Sequence, residues 1–106
     1  MINNDNLIHL NHLIKKLDDL IDIMIESTKH IIDTGNVNYE LKNVLDKLDI
    51  IIDDLNDSDE KNRLETAKDH ITYASVDILD DADIFYKINR LKIAKSILIN
   101  IKSKNE

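Results

Sequence analysis

The chain has 106 residues, a formal net charge of −7, one glycine, no proline and no cysteine. The absence of cysteine excludes disulfides and thiolate metal sites, and the shortage of glycine and proline argues against an all-β fold. Apolar runs never exceed three residues, which is too short for a membrane span, and residues 1–5 do not resemble a signal peptide. We therefore expect one acidic, soluble, cytoplasmic domain over residues 1–106.

The first predicted helix runs from about Asn4 to Asp33 and organises the fold. Its apolar residues recur at alternating steps of three and four, which is the heptad spacing of coiled-coil-like helices. The series consists of Leu7, Leu10, Ile14, Leu17, Ile21, Met24 and Ile31, with Thr28 in its polar position. A flanking row consists of Leu13, Leu20, Ile25 and Ile32. An apolar face of this width indicates a bundle core rather than a two-stranded zipper.

The ends of this helix carry capping residues, with Asn3, Asn4 or Asp5 suited to the first turn. Gly35 is suited to the left-handed position that ends a helix. The second helix is then predicted from about Asn38 to Leu55. Its apolar series consists of Leu41, Val44, Leu48, Ile51 and Leu55, flanked by Leu45 and Ile52. Because the connection is short, the two helices are expected to form an antiparallel hairpin.

A third helix is predicted after the polar segment 56–60, where Asp57 and Glu60 have the spacing of a capping box. Its apolar series consists of Leu64, Ala67, Ile71, Ala74 and Ile78. A further break is predicted at Asp80–Asp83, because the apolar series changes frame there. The new frame consists of Ile84, Ile88, Leu91, Ala94, Leu98 and Ile101. The predicted fold is an all-α antiparallel bundle of four helices, and the alternative is three helices with a continuous last helix from about Asp59 to Ser103.

The fourth predicted helix is apolar on more than one side, because Ile93, Ile97 and Ile99 lie off its main series. Part of this surface is expected to face a partner. The aromatic candidates for partner anchors are Tyr39, Tyr73, Phe85 and Tyr86. The predicted partner-binding residues are Phe85, Tyr86, Arg90, Ile93 and Ile97. The cations expected to suit an acidic surface, such as that of a second copy of the chain, are Lys87, Arg90 and Lys95.

Charge is distributed unevenly along the chain. Residues 1–83 contain 20 acidic and 8 basic side chains, whereas residues 84–105 contain six basic and no acidic ones. An acidic body disfavours general nucleic-acid binding, because the phosphate backbone attracts the opposite charge. The basic C-terminal segment either neutralises its own acidic bundle or contacts phosphate, an anionic membrane or an acidic protein.

His9 and His12 are spaced for metal binding on a helix, with Asp5 one turn earlier. This face is expected to be solvated, and Lys16 lies beside it. Ferritin-like bundles place Glu-x-x-His motifs in the core, and the sequence contains none. We therefore predict neither a metal nor a cofactor.

Arg63 and His70 are separated by six residues. This spacing resembles the Arg-x4-6-His motif of HEPN ribonucleases, which are small all-helical proteins that cleave RNA across a dimer interface. The resemblance implies that Arg63 holds the phosphate while His70 acts in acid–base chemistry. Leu64 departs from the polar residue that usually follows the arginine in that family. The structural alternative is that Arg63 pairs with Asp59 or Glu60, with His70 at the edge of the core.

The leading hypothesis is a non-catalytic protein–protein interaction module, that is, an adaptor, inhibitor or immunity-type factor acting through a helix face. By size and architecture the chain resembles the small helical immunity proteins that protect bacteriocin producers. Its many Ile, Asn, Lys and Asp residues follow AT-rich codons and indicate a low-GC bacterium, a phage or a plasmid. The alternatives are a HEPN-like ribonuclease using Arg63 and His70, and a homodimeric regulator whose basic C-terminal helix touches nucleic acid.

Overall fold

In a computed structural model, which describes residues 2–29, 35–56, 58–75 and 81–106, the chain folds into four α-helices. They are α1 (Asn4–Ser27), α2 (Gly35–Asp53), α3 (Asp59–Ala74) and α4 (Asp81–Asn105). Each helix packs against the next one and α4 returns to α1, so the four form a closed ring, with overall dimensions of 42 × 20 × 19 Å. The predicted all-α four-helix bundle is confirmed. Among the residues that the structure describes, no helix is both long enough and apolar enough to cross a bilayer.

The face of α1 that enters the core is broader than a heptad seam, because α1 packs on both α2 and α4. Its buried apolar residues are Leu10, Leu13, Leu17, Leu20, Ile21 and Met24. Leu13 and Leu20, which were predicted as a flanking row, are therefore part of the buried face. Leu7 and Ile14 of the predicted main series are only half-buried. The predicted positions Ile31 and Ile32 lie outside the described residues.

The apolar series of the other three helices enter the same core. The buried residues are Val37, Leu41, Val44, Leu48, Ile51 and Ile52 of α2, Leu64, Ala67, Ile71 and Ala74 of α3, and Ile88, Leu91, Ala94, Leu98 and Ile101 of α4. These positions confirm the predicted frames, including the change of frame between α3 and α4. Leu55 and Ile84 are half-buried at the ends of their series.

The first helix begins as predicted but ends earlier. Asn3 is its N-cap, and the Asn3 side chain accepts a hydrogen bond of 2.8 Å from the Asn6 N–H. The helix ends at Ser27 rather than Asp33, and at this end the hydroxyls of Ser27 and Thr28 donate to carbonyl oxygens three residues back, each at 2.6 Å. Hydroxyl side chains of this kind compete with continued backbone pairing. Thr28 is therefore a capping residue and not part of the apolar series.

Gly35 does not take the left-handed conformation predicted for it. It is the first residue of α2, and no glycine or other residue in the described ranges has a positive φ. Glycine weakens a helix mainly when it lies in the interior, and it is accepted at the N-terminal end. The second helix consequently covers Gly35–Asp53, a few residues earlier than the predicted range from Asn38 to Leu55.

The third helix is capped by Ser58, whose Oγ accepts a hydrogen bond of 3.2 Å from the Lys61 N–H. Asp57, the predicted cap, lies outside the described residues. The helix ends at Ala74, short of the predicted Ile78, which also lies outside them. At this end the Thr72 carbonyl accepts both the Ser75 hydroxyl, at 2.8 Å, and the Ser75 N–H, at 3.1 Å.

Both ends of the chain contribute to the base of the bundle. The buried Ile2 donates its N–H to Asn105 Oδ1 at 3.1 Å, and the Asn105 amide donates to the Ile101 carbonyl at 2.8 Å. Asn6 is also buried there, and its side-chain amide donates to Asp54 at 3.3 Å. These polar contacts fix the N-terminus of α1 against the C-termini of α2 and α4.

Candidate functional site

An organised cluster of side chains lies on the surface between α3 and α4, around Arg90. Arg90 Nε and Nη2 both donate to the Tyr86 hydroxyl, with an Nε to oxygen distance of 2.9 Å, and Arg90 Nη1 lies 2.9 Å from His70 Nδ1. The guanidinium carbon is 4.7 Å from the centroid of the Tyr73 ring and 4.9 Å from that of Tyr86. Both distances are within cation–π range. Three side chains from two helices therefore hold the arginine.

The hydrogen bond to Arg90 defines the state of the His70 imidazole. A guanidinium nitrogen can only donate, so His70 Nδ1 is the acceptor and the ring is neutral, with its proton on Nε2. Burial lowers the pKa of His70 below its ordinary value of 6.5, the charge of Arg90 lowers it further, and the charge of Asp69 opposes both. His70 is therefore neutral at pH 7.

The spacing of these residues places them on facing edges of α3 and α4. His70 and Tyr73 are three residues apart on α3, and Tyr86 and Arg90 are four apart on α4, so each pair shares one side of its helix. The buried faces of these two helices contain the alanines Ala67, Ala74 and Ala94. Small residues at a contact shorten the distance between helix axes, which brings the two edges within hydrogen-bonding reach.

Four of the five predicted partner-binding residues lie along one side of α4. Tyr86, Arg90, Ile93 and Ile97 follow one another at steps of four, three and four, which keeps them in one row. Tyr86 is 50 % and Ile93 45 % exposed, whereas Ile97 is half-buried against the core. Phe85 is also exposed, but it is rotated by about 100° from Tyr86 around the helix. The structure therefore separates Phe85 from the other four.

We call the surface formed by Tyr73, Tyr86, Arg90, Ile93 and Ile97 the α3/α4 face. Tyr73 adds a 57 % exposed ring from α3. Below this face, towards the base of the bundle, the same two helices form an open groove of about 530 Å³. Its lining residues are Asp59, Glu60, Asn62, Arg63, Thr66 and Lys104.

Arg63 and His70, the candidate catalytic pair, lie on the side of α3 that faces α4. They are seven residues apart, which corresponds to about 10.5 Å along a helix. Arg63 lines the groove near the base of the bundle, whereas His70 contacts Arg90. The arginine in contact with His70 is therefore Arg90, which the sequence motif did not indicate because it is 20 positions away in another helix.

Two of the cations expected to suit an acidic partner are engaged within the bundle. Lys87 is only 3 % exposed and lies among the core positions of α4. Lys95 Nζ lies 2.7 Å from Asp18 Oδ1 of α1, so this lysine neutralises part of the chain's own acidic body. Of the three predicted cations, Arg90 alone belongs to the α3/α4 face.

His9 and His12 are exposed on α1, as expected for a solvated face. With Lys47, Ile50 and Ile51 of α2 they line a groove of about 360 Å³ between these two helices. In the part of the chain that the structure describes, no three His, Cys, Asp or Glu side chains are placed to share a metal ion. The groove is instead a surface with apolar and basic residues at its centre.

Comparison with known proteins adds no assignment to this geometry. No protein-family model matches the chain, and neither a curated protein nor a solved structure matches it. The chemistry of the described surface is therefore the basis for a functional proposal.

Proposed function

We propose that this chain is a non-catalytic protein-interaction module that binds its partner through the α3/α4 face. The observation that carries the proposal is the position of Arg90, which is held between two exposed tyrosine rings next to the exposed Ile93. Arginine and tyrosine are enriched among the residues that dominate binding energy at protein interfaces. An adaptor, inhibitor or immunity-type factor would use such a surface.

The contacts of Arg90 reduce the entropic cost of binding through it. Immobilising a mobile side chain at an interface costs about 0.5–1.5 kcal/mol. Tyr73, Tyr86 and His70 already restrict Arg90 in the free protein. A carboxylate of the partner would meet a guanidinium that is already oriented, flanked by apolar area from the rings and Ile93.

The charge of α4 indicates the chemistry of the partner surface. Of the six basic side chains between residues 84 and 105, Lys87 is buried and Lys95 pairs with Asp18 of α1, whereas Arg90 is presented on the α3/α4 face. Complementary charge raises the rate of association and fixes orientation, whereas buried apolar contacts supply affinity. The partner surface should therefore offer a carboxylate to Arg90 together with apolar residues that contact the tyrosine rings and Ile93.

Photo-cross-linking in cells of the native host tests this proposal. A photoreactive residue at position Ile93 should form an adduct with the partner, and Arg90→Ala should reduce its yield. The matched control is the same residue at Ile99, which is 41 % exposed on α4 but lies off the α3/α4 face. Equal adduct yields from positions 93 and 99 would contradict the proposal. So would an adduct yield at position 93 that Arg90→Ala leaves unchanged.

A second candidate function is cleavage of RNA by a HEPN-like mechanism. The observation that favours it is the proximity of the neutral His70 to a guanidinium, since an arginine can hold phosphate beside an imidazole. His70 Nδ1 would have to leave Arg90 before it could accept a proton, because Nε2 carries the proton of the neutral ring. Arg63 would be the second cation on this side of α3. The acidic composition of the chain opposes RNA binding.

We expect no RNase activity from the purified protein and no loss of biological effect in His70→Ala. Incubation with labelled single-stranded RNA at low ionic strength measures both binding and cleavage. Cleavage that is abolished by Arg63→Ala and by His70→Ala would establish the ribonuclease instead. Tight, salt-sensitive binding without cleavage would favour a nucleic-acid-binding regulator.

A further inference from the structure

The site formed by Arg90, Tyr86 and His70, which we call the Arg90 site, has free donors and no free acceptor. Of the five N–H groups of Arg90, two donate to the Tyr86 hydroxyl oxygen and one to His70 Nδ1. These contacts use both lone pairs of the hydroxyl oxygen and the one acceptor nitrogen of the neutral imidazole. Among the described residues the three side chains form no further hydrogen bond. One N–H on each Nη of Arg90, the Tyr86 O–H and the His70 Nε2–H therefore remain for a ligand.

The charge of Arg90 is not neutralised within the described part of the chain. No carboxylate there forms an ion pair with Arg90, whereas lysines of α1, α3 and α4 each pair with an acidic side chain. Tyr86 is half exposed and Arg90 is only half-buried, so a ligand can reach the site. One guanidinium beside a neutral imidazole carries a single positive charge. The site therefore fits a carboxylate, which has one negative charge and accepts hydrogen bonds at both oxygens.

A carboxylate bound to the free N–H groups of Arg90 would lie close to His70. Nη1 is 2.9 Å from His70 Nδ1, and an oxygen that accepts from Nη1 lies about 3 Å from that nitrogen. The carboxylate oxygen is then within about 6 Å of the imidazole, a distance at which an opposite charge favours the protonated ring. In the free protein, burial and the charge of Arg90 lower the pKa of His70. The carboxylate offsets the second of these effects.

We propose that the α3/α4 face binds a carboxylate of its partner together with one proton, which His70 takes up. This inference rests on the proposed function and adds the control of the same surface by pH. In the free protein the neutral His70 is a positioning residue that accepts from Arg90. In the complex the imidazolium no longer accepts, and its Nδ1–H and Arg90 both donate to the carboxylate between them. Arg90 thus exchanges an internal acceptor for the acceptor of the partner.

The other charged groups around His70 do not oppose this coupling. Asp69, its neighbour on α3, raises the pKa of His70 and so favours the proton. Helix α2, the other ring neighbour of α3, contributes Asp49, and this carboxylate is paired with Lys68 of α3. From α4 the partners are Arg90 and the uncharged Tyr86. The state of His70 therefore depends mainly on Arg90 and on what Arg90 binds.

The sign of the pH dependence follows from comparing the free and bound states. The pKa of His70 is higher with the carboxylate bound than without it, so proton and carboxylate each raise the affinity for the other. The affinity for the carboxylate is lowest at pH values above both pKa values. It rises as the pH falls between them and levels off below the pKa of the free protein. Because a difference of one pKa unit corresponds to a factor of ten, we expect a gain of about 3- to 10-fold.

Nuclear magnetic resonance titration of the full chain with a small probe tests the proposal. The probe is a tripeptide with glutamate between two leucines, blocked at both ends, and its control carries glutamine instead of glutamate. The Arg90 Nε–H signal reports binding, and the His70 ring signals report protonation, at about pH 7.5 and about pH 5.5. The variants are Arg90→Ala and His70→Gln. His12→Gln, at an exposed histidine of α1, is the matched control, and circular dichroism checks that each variant folds.

We expect the glutamate probe to bind the wild type and His12→Gln about 3- to 10-fold more tightly at the lower pH, and to raise the pKa of His70. In His70→Gln the affinities at the two pH values should agree, because glutamine takes up no proton. The glutamine probe and Arg90→Ala should give at least about tenfold weaker binding.

Three results would overturn the inference. The first is a wild type that binds neither probe, or both equally. The second is a wild-type affinity that does not rise at the lower pH. The third is a rise of the same size in His70→Gln, since the proton would then be taken up elsewhere. The two probes are compared on the unaltered protein, so an unfolded variant does not decide the outcome.

Failure of this inference is distinguishable from failure of the proposed function. If the glutamate probe does not bind, or binds without the pH dependence, but position 93 still cross-links in an Arg90-dependent manner, the partner contacts Arg90 through another group and the interaction module stands. If the probe binds with the expected pH dependence but no position-dependent cross-link forms, the carboxylate site stands and the interaction module is wrong.

Discussion

In each of the two helical hairpins, side chains join the two helices at the surface, and the contacts differ between α1/α2 and α3/α4. Between α1 and α2, Lys16 Nζ lies 3.0 Å from Glu40 Oε2, and both side chains are more than a third exposed. Between α3 and α4, Arg90 lies between two aromatic rings and shares a hydrogen bond with His70. One edge is a solvated ion pair, and the other is a cluster of one cation with uncharged partners.

This difference bears on which edge can serve as a recognition surface. An exposed ion pair contributes on the order of 0–1 kcal/mol and is screened by salt. The partners of Arg90 are uncharged rings and a neutral imidazole, so salt screens these contacts less than it screens an ion pair, and several of them restrict Arg90 at once. The α3/α4 edge should therefore hold its geometry over a wider range of ionic strength than the α1/α2 edge.

The largest expected effect comes from removing the core that both hairpins share. Leu17 is fully buried in α1, and Leu17→Asp would place an unpaired charge there. We expect a loss of about 3–5 kcal/mol, enough to unfold a marginally stable domain. Circular dichroism and thermal melting measure this, with Ile8→Asp at an exposed position of the same helix as control. A near-native melting temperature for Leu17→Asp would refute the assigned core.

An intermediate effect is expected at the α3/α4 edge. Arg90→Ala removes two cation–π contacts and its hydrogen bonds, and we expect a loss of about 1–2 kcal/mol in urea unfolding. Arg90→Lys should recover only part of this, because an ammonium cannot reproduce the planar contacts of a guanidinium. Lys16→Ala is the matched change at the α1/α2 edge, with an expected loss of about 0.5 kcal/mol or less. Equal losses at the two edges would remove the distinction between them.

The smallest expected effect is a pH dependence at the α3/α4 edge. Burial and the charge of Arg90 lower the pKa of His70 below 6.5 in the folded state, so the unfolded chain binds the proton more readily. The resulting stability is present above about pH 6.5 and is lost as the pH falls through the lower folded-state pKa. The opposing charge of Asp69 limits the size of the change.

Urea midpoints for the wild type and His70→Gln, measured from about pH 7.5 to about pH 5, check this expectation. As the pH falls, the urea midpoint of the wild type should decrease more than that of His70→Gln. His12→Gln, at an exposed histidine of α1, controls for the loss of an imidazole. Parallel curves for wild type and His70→Gln would show that the contact with Arg90 does not depend on protonation.

Periodicity was sufficient to predict the bundle, because burial on a helix repeats with its turn and local residues determine it. The same reasoning assigned Lys87 to the surface by its charge, although position 87 lies three residues after Ile84 and four before Leu91, in the apolar row. The contact of Arg90 with His70 had no sequence signal. It depends on how α3 and α4 are shifted and rotated relative to each other. The alanines at their interface determine this arrangement, and no local sequence pattern predicts it.

The contact between Ile2 and Asn105 has a consequence for the order of folding. It joins positions 103 residues apart, and the ion pair between Asp18 and Lys95 joins positions 77 apart. The other three helix pairs are consecutive in the chain, so they can form by closing short loops at low entropic cost. The α1/α4 seam instead requires nearly the whole chain to close on itself. We expect this seam to be absent from the transition state, so that mutations along it accelerate unfolding and leave the folding rate nearly unchanged.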